Sequence, residues 1–219
     1  MLTRFLVAVN VIVYLWENVS GMDAAELHGG LIPSYVLGAG QWWRIFTSAF
    51  LHADIMHIAF NMFALWQVGS FVETIYGTPR MAIIYTLAAL GGGLAVVYFA
   101  PDVPTIGASG AIFGLFGALA VAGLRLGKPG RQILQQSTGI IVINLIISFF
   151  PGSNISYQDH IGGLIVGTLC GLLLFRIPRP RVAVRSDGAA YAQRIGPDPG
   201  VVTIEHAPQP DPSEHTPQA

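Results

Sequence analysis

Four polar side chains in this 219-residue chain sit where their types and spacing could do chemistry: Ser109, His160, His57 and Asn61. Gly107-Ala108-Ser109-Gly110 opens an apolar stretch after Pro101 and Pro104. A helix starting there aims free backbone N–H groups and its positive dipole end at whatever lies beside Ser109, which is what a developing oxyanion needs. A serine so placed is also a common N-cap, a purely structural role. His160 leads a second apolar stretch and is followed by Gly163, Gly167 and Gly171, while Gly110, Gly114 and Gly117 follow the serine. Small faces let two helices approach closely. The hydroxyl and the imidazole could then meet within about 2.6–3.2 Å, and the histidine could take the serine proton and later return it to a leaving amine. Taken alone, His160 would be an interfacial residue.

The third cluster runs from His52 to Asn61. His57 and Asn61 are four apart and share one helical face. A structural pair bonded between helices is one reading of them. A metal site is another, but only His52, Asp54 and His57 are near and their order is not HExxH, so no metal is expected. No cofactor is implied.

These residues have to be held by a membrane. Apolar residues make up 53% of the chain, Asp, Glu, Lys and Arg only 11%, and the mean hydropathy is +0.58. A soluble domain carries about 25% charged residues, so soluble enzymes, nucleic-acid binders and disordered regulators are excluded. One cysteine, Cys170, leaves no internal disulfide. A spanning helix needs about 20 mainly apolar residues. Six segments qualify: Leu2–Val19, Met56–Tyr76, Met81–Phe99, Ser109–Leu124, Gln132–Phe150 and His160–Ile177. The fold class is therefore all-α, a polytopic bundle of six transmembrane helices. With both termini cytoplasmic, Arg4, Arg80, Arg125, Lys128, Arg131 and the arginines from Arg176 onward lie inside and only Arg44 lies outside. All three polar clusters then fall near the outer face. Asn144 and Ser148 are left over in the fifth span, and interhelical hydrogen bonds would serve them.

Residues 1–177 form the membrane domain. Residues 20–55 make a long first loop rich in large apolar groups, expected to lie partly in the outer leaflet, with Trp42 and Trp43 at the headgroups and Arg44 meeting phosphate. Residues 178–219 hold eight of the fourteen prolines and few large apolar residues. They are read as a mostly disordered cytoplasmic tail, with brief extended structure near Arg181–Arg185. Asp159 is read as a helix N-terminal acid, because neighbours in a helix are about 100° apart and it cannot face the ring of His160.

Six spans, Trp43-Arg44 in a long first loop, HxxxN entering the second span, GxSG opening the fourth and HxxGxxxG in the sixth resemble the rhomboid family of intramembrane serine proteases. The resemblance covers residues 1 to about 177. It implies a catalytic dyad of Ser109 and His160 without an acidic third member, and an oxyanion site of His57, Asn61 and the Ser109 backbone N–H. It implies an aromatic ring, Phe113, against the histidine, and structural roles for Trp43, Arg44, Gly69, Glu73 and Gly77. The fifth span would admit substrate, the loop at 151–159 would cap the cavity, and the bond cut would follow a small residue. Partners would be the lipid bilayer and single-span or other membrane-protein substrates with helix-breaking residues near the outer side. The cell or inner membrane of a bacterium is the expected location. The alternative is a proteolytically inactive rhomboid-like protein that binds membrane clients. A transporter would want polar groups at the bilayer midplane and an inverted repeat, and neither pattern is present.

Overall fold

The computed structural model describes residues 1–148, 156–176, 181–184, 190–195 and 202–206. The chain divides into two units, Met1–Arg176 and Ile177–Ala219. The first contains α1 (Leu2–Ser20), α2 (Met22–Gly29), α3 (Pro33–Ala39), α4 (Arg44–Thr47), α5 (Ile55–Ala64), α6 (Ser70–Tyr76), α7 (Thr78–Phe99), α8 (Ser109–Arg125), α9 (Lys128–Ser148) and α10 (Tyr157–Leu174). A π-helical turn, Leu65–Gly69, joins α5 to α6, so Ile55–Tyr76 runs on as one apolar helix. The first unit is an all-α membrane helical bundle. Each predicted span has its long helix: α1, α5–α6, α7, α8, α9 and α10. By length and composition α1, Ile55–Tyr76 and α7 suffice to cross a membrane, and α8 is a shorter apolar helix. The end of the fifth predicted span, the loop before Ser156, and the side chains of Asn144 and Ser148 lie outside the described residues.

At the centre stands α8, with Leu115, Ala118 and Leu119 fully buried. A helix apolar on every face has protein on every side. Its glycines interlock with those of α10. A Cβ on Gly163 would overlap the Gly110 carbonyl, one on Gly167 would overlap Gly114, and one on Gly171 would stand 2.8 Å from the Ala118 Cα. The small-residue ridges legible in the sequence therefore bring the two backbones into direct contact.

Glu73 shows how a carboxylate is accommodated in such a bundle. It accepts from the backbone N–H groups of Leu2 (2.7 Å) and Thr3 (3.0 Å), and from the hydroxyls of Thr3 (2.7 Å) and Thr78 (2.8 Å). It thus caps the start of α1, where free N–H groups and the dipole both favour an anion, and ties α1 to α6 and α7.

The first loop is more ordered than its sequence announces, since it contains α2, α3 and α4. The expectation that Arg44 reaches lipid phosphate is corrected. Its side chain is 4% exposed and turns inward, donating to the Gly30 carbonyl (2.7 Å), the Leu27 carbonyl (2.7 Å) and the Gln41 side chain (2.6 Å). Loop carbonyls without helical partners need a donor when buried, and the five-donor guanidinium supplies several at once. Trp42 and Trp43 are exposed.

In the second unit the described residues form strands β1 (Arg181–Val184), β2 (Ala190–Ile195) and β3 (Val202–His206), antiparallel in the order β1-β2-β3. β1 falls in the segment expected to be extended, whereas β2 and β3 lie in the part of 178–219 expected to be disordered.

Candidate active site

The starts of α5, α8 and α10 gather at one end of the bundle, and each brings a polar residue. The turn before α8 is held by the first loop. Leu31 and Thr105 exchange backbone hydrogen bonds (3.0 and 2.9 Å), and the Gly107 N–H donates to the Ser48 carbonyl (2.9 Å). Gly107 has φ of +129°, a conformation open to glycine and strained for other residues. Ser109 is then the first residue of α8. The N-cap is Ala108, with no side-chain cap, so the N-cap role weighed for Ser109 is not the one it plays. Its side chain is half-buried at the helix start.

Asp54 caps α5, accepting from the Met56 and His57 N–H groups at 2.8 Å each. His57 follows in the first turn. Its Nδ1 accepts from the Ala53 N–H at 3.4 Å, which leaves the ring proton on Nε2. That Nε2 is aimed at the serine turn: a Cβ on Gly107 would stand 2.8 Å from it and 3.6 Å from Ser109 Oγ. One small volume beside Gly107 is thus within reach of both an N–H donor and a hydroxyl. Asn61, one turn on, is buried and donates one of its N–H bonds to the His57 carbonyl (2.9 Å).

His160 is 4% exposed and lies flat on Phe113, with centroids 4.2 Å apart and planes 5° from parallel. Phe113 is four residues after Ser109, on the same face of α8, so the imidazole lies over the face that Ser109 begins. Neither ring nitrogen has a hydrogen-bond partner among the described residues. The Ser109–His160 hydrogen bond is therefore not made in this arrangement.

Two carboxylates were not foreseen at the site. Glu17, near the end of α1, is fully buried and accepts from the His52 backbone N–H through both oxygens at 3.3 Å. It anchors the turn that leads to His57, and an acid within a predicted span was itself the available signal. His52 is fully buried, edge-on to His57 at 5.1 Å. Burial first, and then His57, push its imidazole down to about 3, so it is neutral. Asp159 is also buried, and its side chain reaches toward Gly92 of α7 and Gly110 of α8.

A helical membrane protein with polar residues converging from three helix starts is the class that fold and site define. The Rhomboid domain family model matches residues 39–177. Rhomboid protease GluP of Bacillus subtilis (strain 168) is 37% identical over 173 residues, covering 75% of this chain and 33% of that protein. Rhomboid protease AarA of Providencia stuartii is 30% identical over 207 residues, covering 81% of this chain and 73% of that protein. Inactive RHOMBOID-like protein 8 of Arabidopsis thaliana is 34% identical over 150 residues, covering 66% of this chain and 42% of that protein. The chain spans between a third and a half of the length of GluP and of several plant relatives. It belongs to the rhomboid family.

Proposed function

We propose that this chain is an intramembrane serine endopeptidase that cuts membrane-protein substrates near the outer face of a bacterial cell membrane, with both termini in the cytoplasm. The observation that supports this best is the volume beside Gly107, 2.8 Å from His57 Nε2 and 3.6 Å from Ser109 Oγ for an atom built there. A scissile carbonyl occupying it would offer its carbon to the hydroxyl and its oxygen to the donor.

In this reading Ser109 Oγ attacks the carbonyl carbon while its proton passes to His160. The negative charge on the former carbonyl oxygen is held by His57 Nε2–H, the Asn61 amide and the Ser109 backbone N–H. Collapse breaks the C–N bond, and the His160 proton leaves with the amine. Water, deprotonated by His160, then attacks the acyl carbon, the bond from that carbon to Ser109 Oγ breaks, and the proton returns from His160 to the serine oxygen. Phe113 supports the ring through both steps. A regular substrate helix hides its carbonyls in hydrogen bonds, so substrates carry helix-breaking residues near the outer end of a span.

The test compares wild type, Ser109→Ala and His160→Ala in detergent, using a single-span substrate with such a weak helix end and a fluorophosphonate probe. Cleavage and serine labelling are expected from wild type alone. Full cleavage by Ser109→Ala, or labelling that survives His160→Ala, overturns the assignment. A client-binding, inactive relative would give neither cleavage nor labelling in any of the three.

A further inference from the structure

Asp159 takes no part in the steps above, yet it occupies a seat that the surrounding backbone is shaped to leave. It lies in the first turn of α10, 7% exposed, and its own N–H is capped by Ser156 Oγ at 3.4 Å. The side chain does not follow α10 but crosses to the neighbouring helices. A Cβ on Gly110 would stand 2.5 Å from both carboxylate oxygens, and the three atoms nearest to it all belong to the Asp159 carboxyl group. A Cβ on Gly92 of α7 would overlap the same carboxylate. Two helices thus present glycine where this one side chain enters.

Among the described residues, the polar groups facing it are the Gly110 backbone N–H and the Ser109 hydroxyl. A carboxylate away from water is costly unless donors meet it. Here two oxygens face two donors, at the positive end of α8. The neighbouring side chain on α10 is His160, about 100° around the helix, with both ring nitrogens unpartnered among the described residues.

We infer that Asp159 is a positioning residue for Ser109: seated against Gly92 and Gly110, its carboxylate engages the Ser109 hydroxyl and the Gly110 N–H and sets the first turn of α8 against the first turn of α10. The anchor acts at two points. It holds the hydroxyl on the α10 side before substrate arrives, and it fixes the direction in which the adjacent His160 leaves α10. This rests on Ser109 being the nucleophile proposed above.

The full chain in detergent provides the test. Asp159→Asn keeps the shape, but its amide offers one oxygen to two donors and sets an N–H against the other. Fluorophosphonate labelling of Ser109 is expected to slow about tenfold, with kcat for a transmembrane substrate falling alike and KM unchanged. Labelling and cleavage at the wild-type rate would overturn the inference while leaving the serine assignment intact. The contact is read separately from thermal midpoints of Asp159→Asn, Ser109→Ala and the double variant. Non-additive shifts are expected for residues in contact. Additive shifts would remove the Asp159–Ser109 contact whether or not the chain cleaves anything. A wild type that never labels would sink the protease reading, and the same cycle would still decide the contact.

Discussion

The Phe113 ring and the His160 imidazole lie 4.2 Å apart and 5° from parallel, so a side chain of α8 fixes the plane of a ring on α10. Such a stack contributes about 0.5–1.5 kcal/mol beyond burial. Phe113→Leu keeps an apolar group of similar reach and removes the flat surface. Labelling of Ser109 should slow roughly three- to tenfold, and Phe113→Tyr should restore it. Wild-type rates in Phe113→Leu would show that the stack does not orient the histidine.

Gly107 combines a strained φ of +129° with a missing side chain that leaves room between His57 Nε2 and Ser109 Oγ. Gly107→Ala therefore meets two obstacles. The backbone conformation costs about 1–3 kcal/mol for a residue with a Cβ, and the methyl group occupies the volume assigned to the substrate carbonyl. The expected result is a thermal midpoint lowered by several degrees and cleavage reduced more than about a hundredfold. A folded variant that cleaves normally would place the substrate elsewhere.

The helices of the spans were legible because long apolar runs survive any rearrangement of the loops. The approach of α8 to α10 was legible too, since Gly110, Gly114, Gly163 and Gly167 declare close contact by their spacing. Directions were not. Arg44 beside two tryptophans reads equally well as a headgroup ligand or as a donor to loop carbonyls, and only the fold of α2 and α3 around it decides. Along its own helix Asp159 is only a first-turn acid, a common and unspecific feature. That Gly92 and Gly110 open a space for it depends on three helices far apart in sequence. Ser109, weighed as an N-cap, proved to be one residue inside the helix, because the cap position is set by the Gly107 turn and its bond to Ser48.

Arg44 gives the third prediction. Its guanidinium serves the carbonyls of Gly30 and Leu27 and the Gln41 side chain, and lies 4.9 Å from the Tyr35 ring centroid. Arg44→Ala leaves those buried acceptors unmet, at a cost of about 2–4 kcal/mol. Arg44→Lys should recover little of it, since a point charge cannot reach a forked set of acceptors. Limited proteolysis between residues 20 and 44 should accelerate in both variants. Activity should fall as well, because Leu31 of the same loop pairs with Thr105 in the turn before Ser109. Wild-type resistance to protease would mean the guanidinium is not what holds the loop.

His52 gives a pH dependence. Its imidazole, pushed down to about 3 by burial and then by His57, stays neutral in the folded protein, whereas the unfolded value is 6.5. Between those values the unfolded chain takes up a proton that the folded one refuses. Stability therefore falls as pH falls through this window, by up to about 1.4 kcal/mol per pH unit, and is unaffected by His52 above it. His52→Phe, which cannot titrate, should lose less thermal stability than wild type between about pH 6.5 and pH 4. Parallel curves for the two proteins would show that His52 does not carry the acid sensitivity.

His57 and Asn61 are both assigned to the oxyanion, but their geometry ranks them. Nδ1 of His57 is occupied by the Ala53 N–H, so Nε2–H is free to donate toward the Gly107 turn. Asn61 has already committed one N–H to the His57 carbonyl and has only the second to offer. Loss of a fully engaged oxyanion donor costs about 10²–10³ in rate. His57→Ala should therefore show that full loss in kcat, with KM little changed. Asn61→Ala should fall short of it, and part of its effect should come through the freed His57 carbonyl, visible as a lower thermal midpoint. Steady-state cleavage of one substrate by both variants decides the order. A larger loss for Asn61→Ala than for His57→Ala would make the amide, not the imidazole, the principal donor.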